Sequence, residues 1–327
     1  MTTALRVDPV DLPSSGPNPQ PQPKREYRRV IDLLRFLAAV GIVLDHGMGW
    51  AVVGYPALGL FLILTAYFGV GSYRRAMGQE GQGGGFWSNR AKRMLVPWLF
   101  WCAFYRLVWE VVSDEPFQLL SDPFTLLIGP SIHLWFLPFA ALAMIFIPAI
   151  ARDVERVPQL VLASVILVPL SIALGLIHAK SGLEGWLISD GPIVPPVPQW
   201  AFSLPIFIWG ALAAVAHRLG RPEITLAAAF VSSAVLLALD WDVASIQLIL
   251  CAVIFEIGYR LRWQGQWMTD LAGYAFGLYL LHPFFMLVGY KIFGADGGTA
   301  WPTAVALFGA WGATWLCKRL PVVKGML

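Results

Sequence analysis

Apolar residues come in long runs parted by short polar stretches, and each run is near the length of a membrane crossing. A bilayer needs about 20 apolar residues per helix. Runs at 30–52, 54–72, 94–113, 133–151, 159–178, 200–217, 224–240, 243–259, 270–291 and 299–317 meet or approach that length. Some are short and a few carry proline, which membrane helices packed among other helices tolerate. The first two runs are joined very tightly, and so are the two flanking "DWD" at 240–242, so each pair is expected to form an antiparallel hairpin. The predicted fold is an all-α, polytopic membrane helix bundle of about ten transmembrane helices.

Composition agrees. Hydrophobic residues make up 57% of the chain and charged ones 13%, with a mean hydropathy of +0.65. A soluble domain carries about a quarter charged residues, and a chain of 327 residues cannot enclose this much apolar surface in a water-surrounded core. Cys102, Cys251 and Cys317 lie apart within apolar runs and act as small hydrophobes, with neither a disulfide framework nor metal-ligand spacing. No metal site and no permanently bound cofactor is expected.

The distribution of charge sets the orientation. Every second connection is basic: "KREYRR" at 24–29, "RR" at 74–75 with "RAKR" at 90–93, "RDVER" at 152–156, "HRLGR" at 217–221, "YRLR" at 259–262 and "CKR" at 317–319. The alternate connections, 114–132, 179–199, 240–242 and 292–298, hold only Lys180. Lys and Arg stay on the cytoplasmic side, which puts both termini in the cytoplasm. Residues 1–27, rich in Pro and polar residues and lacking the apolar core of a signal peptide, are expected to be a disordered tail. The membrane domain is expected over 28–320 and a short cytoplasmic tail over 321–327. The Gly-rich "EGQGGGF" at 80–86 follows no strand and lacks the Lys-Ser/Thr ending of a phosphate loop, so it is read as a linker.

The first run nevertheless carries Asp32, Arg35, Asp45 and His46. Titratable groups within a span face the bundle interior or a wet cavity, because exposure to lipid costs at least a few kcal/mol each. Arg35 and His46 are eleven residues apart, so they share a helix face about 16 Å apart along the axis. Two readings stand: an Asp32–Arg35 ion pair at the membrane edge, or a polar path from the cytoplasm to a titratable imidazole. Asp45 points about 100° away from His46 on a helix, so no His–Asp dyad is assumed. Arg90 and Arg93, with Lys92 beside them, form a basic mouth on the third run; guanidinium groups suit phosphate oxygens, and topogenic charge is the plainer account. Arg106 and Glu110, four apart, are placed to pair on one face. His133 and His282, near outer ends of spans, read as satisfied structural groups, and Glu256 as a carboxylate that snorkels to water.

"IDLLRFLAAVGIVLDH" resembles the opening signature of the integral-membrane acyltransferase-3 family, an Asp-x-x-Arg with a His eleven residues after the Arg. The matching positions are Asp32, Arg35 and His46. "GLFLILTAYF" at 59–68, "RAKRMLVPW" at 90–98, "HLWFL" at 133–137 and "AFGLYLLHPF" at 275–284 fit further family segments in order. The second-span signature departs from the usual Ser-Gly with Thr65-Ala66, and Asp45 stands where the family usually has an apolar residue. The resemblance implies transfer of an acyl group, most often acetyl, from cytoplasmic acyl-CoA to a hydroxyl of an envelope or secreted carbohydrate. It implies His46 as the catalytic residue, general base or transient acyl carrier, and Arg35, Arg90 and Arg93 on the donor side; Asp32, Arg106, Glu110, His133 and His282 stand beside them as supporting candidates read from their places in the spans. Expected partners are membrane lipids, a carbohydrate acceptor and a separate extracytoplasmic transferase or polysaccharide-assembly protein; nucleic acid is not expected, and the bacterial inner membrane is the expected location. Acceptor contacts are expected from 114–132 and 179–199. The rival reading is a transporter or flippase, which predicts broken helices in corresponding halves and an inverted repeat; neither is evident.

Overall fold

A computed structural model describes residues 28–78, 83–113, 133–180, 197–294, 298–320 and 323–326. The expected N-terminal tail and the stretches 114–132 and 181–196, including most of the expected acceptor loops, lie outside the described residues. The helices are α1 (Arg29–Met48), α2 (Ala51–Gly78), α3 (Gly83–Val112), α4 (Phe136–Ala143), α5 (Phe146–Asp153), α6 (Val157–Lys180), α7 (Val197–Leu219), α8 (Pro222–Ala238), α9 (Asp242–Arg260), α10 (Gln266–Phe293) and α11 (Ala300–Cys317). A single 3-10 turn, Lys324–Met326, follows. The described residues contain no strand. The protein is an all-α membrane bundle in which each predicted run is a helix, the fourth being α4 and α5 together.

Five of these segments are long and apolar enough to cross a bilayer by themselves: Ala51–Gly78, Gly85–Val112, Phe136–Asp153, Asp242–Arg260 and Gln266–Phe293. This holds among the described residues, where Val157–Ala173, Ser203–Leu219 and Pro222–Ala238 are shorter apolar helices and α1 is interrupted by charge. The interruption between α4 and α5 has a local cause. Pro148 has no N–H for the Met144 carbonyl, which instead accepts from the Ile147 N–H at 3.1 Å, a 3-10 contact that tightens the turn. Helices α2 and α3 reach several residues further into the cytoplasmic loop than the apolar pattern indicates, because polar residues such as Arg74, Arg75 and Arg90 extend the helices beyond their greasy segments.

Contacts between helix ends confirm the alternating direction. Arg28, at the start of α1, donates to the Tyr259 carbonyl at the end of α9. Arg74 donates to the Ala151 carbonyl, Arg218 to the Val154 carbonyl, and Thr269 to Asp32. Ends of α2, α5, α7 and α9 thus meet starts of α1 and α10 on one side, the side where the basic residues lie. The opposite side joins Gln247 of α9 to the Tyr55 carbonyl of α2 at 2.9 Å and Trp200 of α7 to the Trp135 carbonyl at 3.3 Å. Close packing at the centre depends on small residues: a Cβ on Gly210 of α7 would lie 2.7 Å from the Ile63 Cα of α2.

Glu256 corrects an expectation. Its side chain is 3% exposed and does not snorkel; it meets His217 Nε2 at 2.9 Å and Arg260 at 3.6 Å. The carboxylate is held by a buried imidazole on one side and an exposed guanidinium on the other, so it stays in the bundle. The segment after α11 also returns to the bundle, where the Trp101 indole N–H donates to the Met326 carbonyl at 2.9 Å.

Candidate active site

The last turn of α1 carries His46, and Gly49 ends the helix in a left-handed conformation (φ 70°) that permits an immediate reversal into α2. Asp45 and His46 are thereby brought against Gly54 and Tyr55 at the start of α2. With Ile42, Leu58, His133, Trp135 and Tyr279 they line a cavity of about 230 Å³. It lies on the side opposite the basic helix ends.

His46 does not stand alone. Its Nδ1 lies 2.9 Å from Nε2 of His282 on α10, 236 residues away in sequence. The other nitrogen of His282, Nδ1, lies 2.8 Å from the Tyr279 carbonyl and 3.2 Å from the Leu278 carbonyl of its own helix. A carbonyl only accepts, so His282 Nδ1 carries the hydrogen and, in the neutral ring, its Nε2 is the acceptor. His46 Nδ1 must then be the donor, which leaves His46 Nε2 with a free lone pair. The two rings are ordered as a relay that fixes one tautomer of His46.

The backbone explains why that carbonyl is available. Pro283 follows His282, and the N–H it lacks is the one that would bond to the Tyr279 carbonyl four residues earlier. The proline opens the helix at that point and the adjacent imidazole fills the vacancy. Around the pair, Tyr105 donates to the Leu280 carbonyl at 2.5 Å and Tyr279 donates to the His133 carbonyl. The His133 ring lies 5.4 Å from His282, 5.0 Å from Tyr105 and 5.5 Å from Tyr279. His133 and His282 are 2% and 0% exposed. Among the described residues no group of His, Cys, Asp or Glu is arranged to hold a metal ion.

The remaining residues singled out from sequence fall elsewhere. Asp32 is buried and accepts from Thr269 Oγ1 at 2.9 Å. The Arg35 guanidinium lies over the Phe68 ring of α2, 4.9 Å from its centroid. Arg90 sits over Phe86 and is within electrostatic range of both Arg93 and Arg75. Three guanidiniums thus share the cytoplasmic end of α2 and α3; Arg75 was not singled out, although its pairing with Arg74 in "RR" was a visible signal. Arg106 and Glu110 are half-buried on α3 and do not line the cavity. His133 lines the cavity with His46, and His282 bonds to His46.

A profile described as an acyltransferase domain, that of the acyltransferase-3 family, matches residues 28–318. The chain belongs to the acyltransferase-3 family. It is therefore a multi-pass membrane acyltransferase, and the transporter reading is set aside. No curated protein and no solved structure matches it significantly.

Proposed function

We propose that this acyltransferase moves an acetyl group from cytoplasmic acetyl-CoA to a hydroxyl of an envelope or extracellular carbohydrate, in a bacterial inner membrane, with His46 as general base. The observation that supports this reading is the His46–His282–Tyr279 carbonyl relay at the cavity, which leaves His46 Nε2 basic. A neutral imidazole with one nitrogen held and the other free is the arrangement a general base needs. In the step proposed, the acceptor O–H breaks as its proton passes to His46 Nε2, and the oxygen attacks the thioester carbonyl carbon. The C–S bond then breaks, and the departing thiolate of coenzyme A takes the proton back from His46, so atoms and charge balance. His282 strengthens its hydrogen bond as charge builds on the His46 ring.

Donor binding is assigned to the basic cytoplasmic end. Arg90, Arg93 and Arg75 repel one another, and an anion with several phosphate groups relieves that repulsion. Arg35, about three helical turns below His46 on α1, belongs to the path along which the thioester arm rises. Membranes bearing the wild-type chain or His46→Ala, at matched expression, are given labelled acetyl-CoA. Label is expected in carbohydrate only with the wild type; equal labelling by both would remove His46 from the mechanism.

A further inference from the structure

The cavity contains a second ionisable group, through which the proton-transfer step routes no proton. Asp45 lines it beside His46, yet among the described residues its carboxylate has neither a hydrogen-bond donor nor an ion-pair partner. Its position is unfavourable. It lies in the last turn of α1, where the helix dipole is negative and repels an anion. It acts on His46 through its charge but does not fix the ring, because the His46 Nδ1 that such a partner would take is already bonded to His282. A carboxylate left without a hydrogen-bond donor at a cavity wall is open to a donor from a ligand.

The surroundings make room for it. A Cβ at Gly54 would lie 2.0 Å from Asp45 Oδ2 and 2.2 Å from its Cγ, so the start of α2 leaves vacant the space that the carboxylate occupies. Tyr55 and Trp135 supply aromatic walls to the same cavity. A carboxylate is an acceptor only, so its ligand must bring donors. Aromatic faces with a lone acceptor suit a ring that is apolar on its faces and bears hydroxyls at its edge. At about 230 Å³, the cavity has room for a sugar ring.

We propose that Asp45 is the acceptor-orienting residue: it takes a hydrogen bond from the hydroxyl next to the one that is acylated, on a neutral sugar ring laid against Tyr55 and Trp135. This rests on the acyl-transfer reading above and adds to it the specificity for a vicinal diol. The bond holds the ring so that the neighbouring hydroxyl meets His46, and it makes no demand on the donor.

The test uses the full chain in membranes, labelled acetyl-CoA, and the methyl glycosides of glucose, galactose and mannose with their single-deoxy forms. For the glycoside best used, Asp45→Ala is expected to raise KM about 10- to 100-fold, the worth of a hydrogen bond to a charged group, while KM for acetyl-CoA stays put. Asp45→Asn, which keeps one acceptor oxygen, falls between. Gly54→Ala, which displaces the carboxylate without changing charge, moves KM in the same direction. The deoxy glycoside lacking the neighbouring hydroxyl loses a similar factor with the wild type and nothing more with Asp45→Ala. Losses that multiply instead would overturn the proposal, as would an Asp45→Asn enzyme with unchanged glycoside KM but a displaced pH profile, which would leave Asp45 only its electrostatic action on His46. A wild type that consumes acetyl-CoA in a His46-dependent way yet acylates none of these rings would also overturn it and leave the acyl-transfer reading intact. If there is no His46-dependent consumption at all, both fall.

Discussion

Replacing His282 by Ala tests the relay at its least obvious member. The change removes the acceptor 2.9 Å from His46 Nδ1 and also the donor that fills the Tyr279 carbonyl. In the resting enzyme the lost bond joins two neutral groups and is worth about 1 kcal/mol net. In the transition state His46 carries positive charge, and a hydrogen bond from a charged donor is worth about 1.5–3 kcal/mol. The part felt only in the transition state is therefore about 0.5–2 kcal/mol. Loss of the fixed ring orientation and tautomer adds to this. The expected result is a kcat lower by about 3- to 30-fold with little change in KM for acetyl-CoA, since His282 is fully buried and lies on the side opposite the basic mouth. Label transfer at saturating acetyl-CoA, with folding checked by size-exclusion chromatography in detergent, gives the number. His282→Gln retains an acceptor oxygen for His46 and is expected to recover part of the loss. A His282→Ala enzyme that folds and keeps its kcat within about twofold would refute the reasoning, because the tautomer of His46 would then be set by something else.

Two further outcomes are expected. Arg90→Gln combined with Arg93→Gln should raise KM for acetyl-CoA by at least about tenfold and flatten its dependence on salt, whereas Lys at both positions keeps the charge and part of the affinity; a donor KM unchanged by the Gln pair assigns these arginines to topology alone. Glu256→Ala should destabilise the bundle by about 1–3 kcal/mol, because it leaves the buried His217 nitrogen without its partner, seen as a lower thermal midpoint in detergent, and joint replacement of His217 and Glu256 by Leu should restore most of it; a double variant no better than the single one would show that the pair is not what the single change broke.

The sequence showed most clearly whatever the bilayer enforces on single helices. Span number and direction could be read because lipid demands apolar length and because Lys and Arg stay on one side. The helix ends meeting around Arg28, Arg74 and Arg218 agree with that reading. What lay hidden were contacts between helices distant in sequence. Glu256 looked like a group near a helix end because its partner His217 is on α7. His282 looked like a satisfied interface residue because nothing local relates it to position 46. One signal did exist, since a proline after a histidine frees a carbonyl on the same helix for that histidine to bond. It identifies the tautomer of His282 but not what its other nitrogen meets, which only packing of α10 on α1 can decide.

That packing also explains why so many polar groups are tolerated in the first span. Helices α1 and α10 run in the same direction and are joined at both ends, by Thr269 to Asp32 on the basic side and by His282 to His46 at the cavity. The two joints are fourteen residues apart on α1 and thirteen on α10, rises of about 21 and 20 Å, so both bonds form in one register. Sliding either helix by a turn, about 5.4 Å, would break both bonds. Apolar ridges alone accept several registers at similar cost, because lipid is as apolar as the helices and gives them no preference. The polar groups remove that degeneracy, and they do so at the positions that hold His46 still. On this argument the ionisable residues of α1 stay in the span because the relay requires a register that greasy packing cannot specify.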